Sequence, residues 1–493
     1  MDPKDMMVVD ANAEALGIPK SSLMENAGRS IAESIIEKFE PCKVVIYAGN
    51  GGNGGDGFVA ARYLLEKGYE VIIYFLGSIT SIRSFETKLN WECINNISNY
   101  NTSINIYEIK DSSQLKNTDS GVVVDAILGT GTRGSLREPV VSAVDIINIS
   151  DAKVFAVDIP TGLDPLSGKV NGTAVKADFT ITFHKPKTGL LKADSEYIGS
   201  LEVYDIGIPI EAEIFTGPGD ILRLIKRSEK SHKGQNGRVL IVGGSQNYSG
   251  APAFAGLSAL RSGVDLSVIA CPENVASSIR AYSPDLIVKS LSTSYIQFED
   301  SSDILQMSES VDSIVMGCGI GTKEETGLVL NEIIEKIQLP MVLDADALKV
   351  VDNKVVAQSN NNIVLTPHKA EFSAFFDIDL PSEFQKKIEI VKQTAKHFGC
   401  TILVKGSVDI VSNGEIVKLN STGNPGMTVG GTGDVLAGLV GGLMAGGHTA
   451  FEAAYIGAYI NGAAGNLAES DYGYNFLASD ILKYIPLIFM DND

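Results

Sequence analysis

Apolar runs of strand length alternate with stretches of helical period along the whole chain, the pattern of α/β units wound on a mostly parallel sheet. In the first half, runs at 43–48, 69–76, 121–127, 153–157, 178–182 and 201–205 predict strands, and 56–67 predicts one of the intervening helices. From 207 to 236 the alternation lapses into Gly-Ile-Pro, then Gly-Pro-Gly, then a charged stretch, which marks a domain boundary. A second series follows at 238–243, 265–270, 313–317, 340–344, 363–366, 401–405 and 409–411. Two helices rich in small residues, 433–445 and 450–469, close it. Two α/β domains are expected, 1–215 and 222–493, with no internal repeat relating them.

Composition sharpens this picture. A chain of 493 residues has room for two or three domains, and its 50 glycines exceed the usual share of about 7%. No three-residue period organises them, so they belong in tight turns or where backbone approaches a ligand. The formal charge of −20 excludes nucleic acid and anionic membrane as partners. Five scattered cysteines without C-x-x-C spacing exclude the common zinc and redox motifs. The N-terminus lacks a basic, apolar leader, and no apolar run reaches the ~20 residues of a membrane span. A soluble, cytoplasmic protein acting on small molecules is expected, with a homo-oligomer as its assembly.

Candidate chemistry in the first half begins at Gly49-Asn50-Gly51-Gly52-Asn53-Gly54-Gly55-Asp56-Gly57, between a strand and a helix. It contains G-x-G-x-x-G, but no acidic residue follows the second strand to grip a ribose. Asp56 would also repel a pyrophosphate beside the helix start, while suiting a cation, a hydroxyl or a ring nitrogen. Two more strand ends carry carboxylates, Val124-Asp125-Ala126 and Val157-Asp158-Ile159-Pro160-Thr161-Gly162. Ligands of open α/β sheets collect at strand C-termini, so Asp125 and Asp158 are expected in the same crevice as Asn53 and Asp56. There they either hold a hard cation, serve as a proton-transfer base, or cap helices.

In the second half no P-loop occurs; Gly162–Lys169, nearby in the first, has the wrong spacing. The chief motif is Gly430-Gly431-Thr432-Gly433-Asp434, opening a small-residue helix. Its backbone amides make an anion pocket suited to a transferred phosphoryl group, and Asp434 stands where it can take a proton from an attacking hydroxyl. Lys405, at a strand end, either neutralises nucleotide phosphate or lies on the surface. Asp344 and Asp346 either organise magnesium or cap a helix, and His368 sits in a Thr-Pro-His loop exposed enough to touch substrate.

The stretch Leu23-Met24-Glu25-Asn26-Ala27-Gly28-Arg29, with the Asn53–Gly57 loop and the two aspartate strand ends, resembles the NAD(P)H-hydrate epimerase domain, a Rossmann-like three-layer α/β sandwich. His232-Lys233-Gly234, Val242-Gly243-Gly244-Ser245, Gly250-Ala251-Pro252-Ala253, Met316-Gly317-Cys318-Gly319, Asp344-Ala345-Asp346, Thr366-Pro367-His368 and Gly431–Asp434 together resemble the ADP- or ATP-dependent NAD(P)H-hydrate dehydratases, of ribokinase-like fold. The first resemblance implies potassium at Asn53, Asp125 and Thr161. It also implies substrate contacts from Gly52, Asn53, Gly54, Gly55 and Asp56, from Gly129, Thr130, Gly131, Thr132, Arg133, Gly134 and Ser135, and from Asp158, the candidate base. The second implies substrate contacts from Ala253, Gly319, His368 and Asp434, with Asp434 catalytic. It places the adenine nucleotide, with Mg2+, on Lys405, Gly406, Ser407, Val408, Asp409 and Gly433.

Four positions depart from the family patterns: Gly52 for asparagine, Thr161 for serine, Cys318 for proline, and Lys369-Ala370 for Pro-Gly. The last two are expected to loosen their loops. The implied function is repair of hydrated NADH and NADPH. The alternative is a small-alcohol or vitamin-precursor kinase with a regulatory ligand-binding N-terminal domain.

Overall fold

The computed structural model describes residues 1–116, 121–131, 134–359 and 362–490. The chain forms two compact units, Met1–Ala212 and Glu213–Asp493.

The first unit is built on strands β1 (Lys43–Ala48), β2 (Glu70–Leu76), β3 (Ile104–Ile109), β4 (Val122–Ala126), β5 (Lys153–Val157), β6 (Phe179–Phe183) and β7 (Ser200–Tyr204). They form a parallel sheet in the order β3-β2-β1-β4-β5-β6-β7. Alternating side chains cover both faces. Val44 and Ile46 face the helices Lys20–Lys38 and Gly52–Glu66, whereas Val45 and Tyr47 face the helix Val140–Ile149. Three layers result.

The second unit contains β8 (Arg238–Val242), β9 (Leu266–Pro272), β10 (Ile287–Leu291), β11 (Ser313–Met316), β12 (Met341–Leu343), β13 (Ile363–Leu365), β14 (Thr401–Val404), β15 (Asp409–Ser412) and β16 (Val417–Asn420). Their order is β10-β9-β8-β11-β12-β13-β14-β15-β16, parallel as far as β14 and antiparallel beyond. Val239 and Ile241 pack toward the helices Thr432–Ala445 and Ala450–Tyr472, and Leu240 and Val242 toward the opposite helical layer. The segment ahead of β8 is tied to this unit. Phe215 bridges Leu419, Thr216 donates to Asn420 at 2.8 Å, and buried Asp220 pairs with Lys418 at 3.0 Å.

Hydrophobic patterning misses β3, β10 and β16. All three lie at sheet edges and carry polar residues such as Asn105, Glu108, Lys289 and Lys418, so no apolar run announces them. The first glycine loop differs too. The helix begins at Gly52 rather than Asp56, which makes Gly54 and Gly55 buried helical residues and moves Asp56 into the second turn. Likewise the last small-residue helix extends to Tyr472. No helix among the described residues is long and apolar enough to cross a membrane.

Candidate active sites

Strand order in the first unit reverses between β1 and β4, which opens a crevice at their carboxyl ends. The 49–52 turn after β1, the 127–131 loop after β4 and Asp158 after β5 border that crevice. Asn53 donates its Nδ2 to the Val157 carbonyl at 2.8 Å, which turns Oδ1 toward Gly129. A Cβ at Gly129 would stand 2.2 Å from that oxygen, so only glycine admits the approach.

Thr161 donates its hydroxyl to Asp125 Oδ1 at 2.7 Å and its amide to Oδ2 at 2.8 Å, while its oxygen accepts the Leu128 amide at 3.1 Å. Asp125 is fully buried, and burial pushes its carboxyl up to about 6 against the pull of the Thr161 and Ile127 donors. Asn53 Oδ1, Asp125 and the Thr161 hydroxyl thus gather around the Leu128–Gly129 backbone. These oxygen donors, with a buried carboxylate that no cation pairs among the described residues, fit a hard cation.

Asp158 adopts a left-handed backbone, φ 62°, uncommon outside glycine and concentrated at functional sites. Its Oδ1 accepts the Lys187 ammonium and the Thr182 hydroxyl, the latter at 3.1 Å. Asp56 is raised well above the ordinary carboxylate range by burial, then by the charges of Asp158 and Asp10, with Lys187 opposing. Asp10 is pushed up to about 6, again by burial first. Gly52, Gly131, Gly134 and Ser135 are exposed along the crevice and Thr130 is half-buried; Thr132 and Arg133 lie outside the described residues.

Sequence reasoning passes over Lys187 and Asp10. Lys187 reads as one of two lysines in a surface-like Lys-Pro-Lys, and Asp10 as the polar face of an N-terminal helix. Only the position of Lys187 past the carboxyl end of β6 signals the same sheet edge.

In the second unit Gly431 caps the helix Thr432–Ala445 with φ 103°, a left-handed turn that glycine makes without strain. Thr432, Gly433 and Asp434 form the first turn, where an α-helix leaves amides without intrahelical partners. Asp434 is pushed up to about 6 by burial and by Asp344, while a hydrogen bond from Cys318 and the charge of Lys405 oppose. Cys318, Asp344 and Asp434 present donor atoms within 4.8 Å of one another.

Lys405 donates to Asp344 Oδ1 at 2.7 Å, and Thr366 donates to the same oxygen at 2.7 Å, which keeps Oδ2 for a hard cation or its water. Burial works against the Lys405 charge, but Asp344 outweighs it and holds the ammonium above its ordinary range. Asp346 plays a bracing part instead, accepting the Gly321 amide at 3.0 Å and Lys349 at 2.7 Å.

His368 is exposed, as expected, and also caps a helix: its Nδ1 accepts the amides of Ala370 and Glu371 at 3.1 and 3.2 Å. Glu371 returns a bond to the His368 amide at 2.9 Å. The Lys369-Ala370 departure therefore does not loosen this loop, because it supplies the first helical turn of a capping box. Nor does Cys318 loosen its turn, since its side chain is wholly buried and hydrogen-bonded to Asp434.

Gly319, φ 63°, faces Tyr248 and Ala251, and its carbonyl accepts the Ser245 hydroxyl at 2.8 Å. Ala253 is instead 4% exposed within the core, so its methyl packs inward and Ala251 holds the outward position. Gly406 and Ser407 are exposed, and Val408 is half-buried. Asp409 accepts the Gly406 amide at 2.9 Å and Asn420 at 3.0 Å, closing the 405–409 turn. A Cβ at Gly433 would approach Lys405 Nζ to 3.4 Å, which brings the turn and the anion pocket together.

Two family models match the chain, NAD(P)H-hydrate dehydratase over residues 239–487 and YjeF-related protein N-terminus over 20–189. The bifunctional NAD(P)H-hydrate repair enzyme of Methanothermobacter thermautotrophicus is 48% identical over 99% of this chain and 95% of its own. That of Archaeoglobus fulgidus is 41% identical over 98% and 97%. Among solved structures, the ADP/ATP-dependent NAD(P)H-hydrate dehydratase of Bacillus subtilis, crystallised with ATP and Mg2+, superposes with a TM-score of 0.50 at 26% identity, covering 57% of this chain and 99% of that one. The second unit therefore has the ribokinase-like fold of that enzyme.

Proposed function

The chain belongs to the family of bifunctional NAD(P)H-hydrate repair enzymes, and on that premise we propose that its two sites act in succession on one damaged nucleotide. The first unit interconverts the R and S epimers of hydrated NADH or NADPH. The second returns the S epimer to the dihydronicotinamide with ADP or ATP as phosphoryl donor.

Asp434 in the first turn of its helix is the observation that carries the second step. The carboxylate takes the proton of the hydrate's hydroxyl as that oxygen attacks the terminal phosphorus. The new O–P bond forms while the bond to the nucleotide's bridging oxygen breaks. Amides of the Gly431–Gly433 segment suit the charge spread over the transferred group. The ring nitrogen's lone pair then expels phosphate, and the neighbouring ring carbon releases a proton to restore the double bond. The adenine nucleotide's place at Lys405–Asp409 and Gly433 is supported by the closed turn beside the anion pocket. Magnesium, when bound, neutralises phosphate charge; Asp344 is the residue suited to hold it.

In the first unit Asp158 is assigned as proton acceptor, with substrate along Gly52–Asp56 and the 129–135 loop. Asn53, Asp125 and Thr161 would hold potassium, which supplies positive charge against a buried carboxylate. A cytoplasmic location is supported by five cysteines that are all free.

Product analysis tests the reading. Pure S epimer with Mg2+ and ATP is expected to yield NADH and orthophosphate in equal amounts. A phosphate ester that accumulates instead would identify a small-alcohol kinase.

A further inference from the structure

Three carboxyls and one ammonium meet in the interior of the first unit: Asp10 from the helix Pro3–Ala15, Asp56 from the helix Gly52–Glu66, Asp158 after β5 and Lys187 after β6. Lys187 is only 2% exposed, yet its side chain is fully employed. It donates to Asp158 Oδ1, to the Thr182 hydroxyl at 3.3 Å and to the Phe183 carbonyl at 3.2 Å. A buried ammonium is costly unless paired, so an ion pair placed here has a definite partner and a definite orientation.

Geometry distinguishes the three carboxyls. Lys187 and Thr182 both bond Oδ1 of Asp158, and Oδ2 takes no hydrogen bond among the described residues. The side chain is 11% exposed, so the free oxygen can be reached from the crevice. Asp56 and Asp10 have neither an ion pair nor a hydrogen bond to their carboxyls among the described residues. Of the three carboxyls only Asp158 accepts a hydrogen bond from the ammonium.

We propose that Lys187 is a positioning residue for epimerisation, holding Asp158 aimed as the proton acceptor, so that Asp56 serves as the proton donor on the same substrate. This rests on the assignment of the first unit as the epimerase. Burial and the neighbouring carboxylates raise Asp56 well above its ordinary range, the direction that favours a proton donor.

The step balances as follows. Water added to an enamine leaves its hydroxyl on the carbon beside nitrogen. Asp56 protonates that hydroxyl, the C–O bond breaks, and the nitrogen lone pair forms a C=N bond as water departs. A water on the opposite face gives its proton to Asp158 while its oxygen bonds the same carbon, and the electron pair returns to nitrogen. Exchange with solvent returns one proton to Asp56 and removes one from Asp158.

The test uses the full chain and an R-enriched mixture of hydrated NADH, following epimer exchange against pH. The wild-type profile is expected to have an alkaline limb, for loss of the Asp56 proton. Lys187→Met should slow exchange by about 100-fold or more. Lys187→Arg, which can still donate to Asp158, should recover part of that loss. Titratable groups facing this pair are Asp10, Asp56 and, toward Asp10, Lys20. Dehydration of pure S epimer by the same sample reports that the second unit is folded, and the fluorescence of buried Trp91, the chain's single tryptophan, reports the first.

A Lys187→Met chain that unfolds at lower temperature but keeps the wild-type rate of exchange would overturn the proposal in favour of a structural ion pair. Asp56→Asn leaves that pair intact and should abolish the alkaline limb; a retained limb would also overturn it. Wild-type chain without any epimer exchange would overturn the epimerase assignment itself, a different and separately visible failure.

Discussion

Asp434 opens a helix after a run of glycines and Asp158 follows a strand, and their surroundings give them different tasks. Asp434 lies in a helix's first turn beside Asp344 and Lys405, its carboxyl pushed up to about 6. As the proton acceptor it works only when ionised, so dehydration of the S epimer should fall as pH drops through about 6 and level off above. A rate independent of pH from 5 to 8 would remove Asp434 from that role. Asp434→Ala should lower dehydration by about 10²–10⁴-fold while epimer exchange in the same chain continues.

Gly129 provides a steric counterpart. Gly129→Ala places a methyl 2.2 Å from Asn53 Oδ1, and the displaced amide should weaken potassium-dependent activation of exchange, read as a higher K+ concentration for half-maximal rate.

At the level of elements, much was legible. β1 and β5 match the apolar runs residue for residue, because strands buried on both faces read as uninterrupted Val, Ile and Ala. Three of the four edge strands, β3, β10 and β16, escaped for the opposite reason, being half solvated and interrupted by Asn, Glu and Lys, whereas β7 at the fourth edge was found. Site residues divided in the same way. Asp125 and Asp434 were visible because a carboxylate at the end of an apolar run, or after Gly-Thr-Gly, falls at a strand end or helix start, whereas Thr161 came only from the family resemblance. Lys187 was not, since its burial depends on β5 and β6 lying side by side, a long-range pairing that local pattern does not encode.

Segment 213–221 was also hidden, and its hold on β16 predicts a stability effect. Asp220→Ala strands Lys418 with little solvent, so thermal unfolding of the full chain should show the second unit destabilised by roughly 3–5 kcal/mol. An unchanged transition would show the pair to be dispensable.

For the whole molecule, the charge of −20 and a local anion pocket at Gly431–Gly433 are compatible because they act at different ranges. Overall repulsion turns away polyanions, while backbone amides and Lys405 offer small phosphorylated ligands short-range contacts. Two unlike sheets in one chain suit two unlike reactions, epimerisation in the first unit and dehydration in the second. Joining them has a kinetic purpose. Phosphoryl transfer selects one epimer, and exchange feeds it from the other.

Recovery of the dihydronicotinamide absorbance from an equimolar mixture of R and S hydrated NADH, with K+, Mg2+ and ADP or ATP, tests that account directly. It predicts full recovery by the wild-type chain, faster than uncatalysed epimer exchange, and a fast phase limited to half the material with Asp125→Asn. No recovery with either nucleotide would contradict the repair function, and recovery halting at half in the wild type would contradict the epimerase.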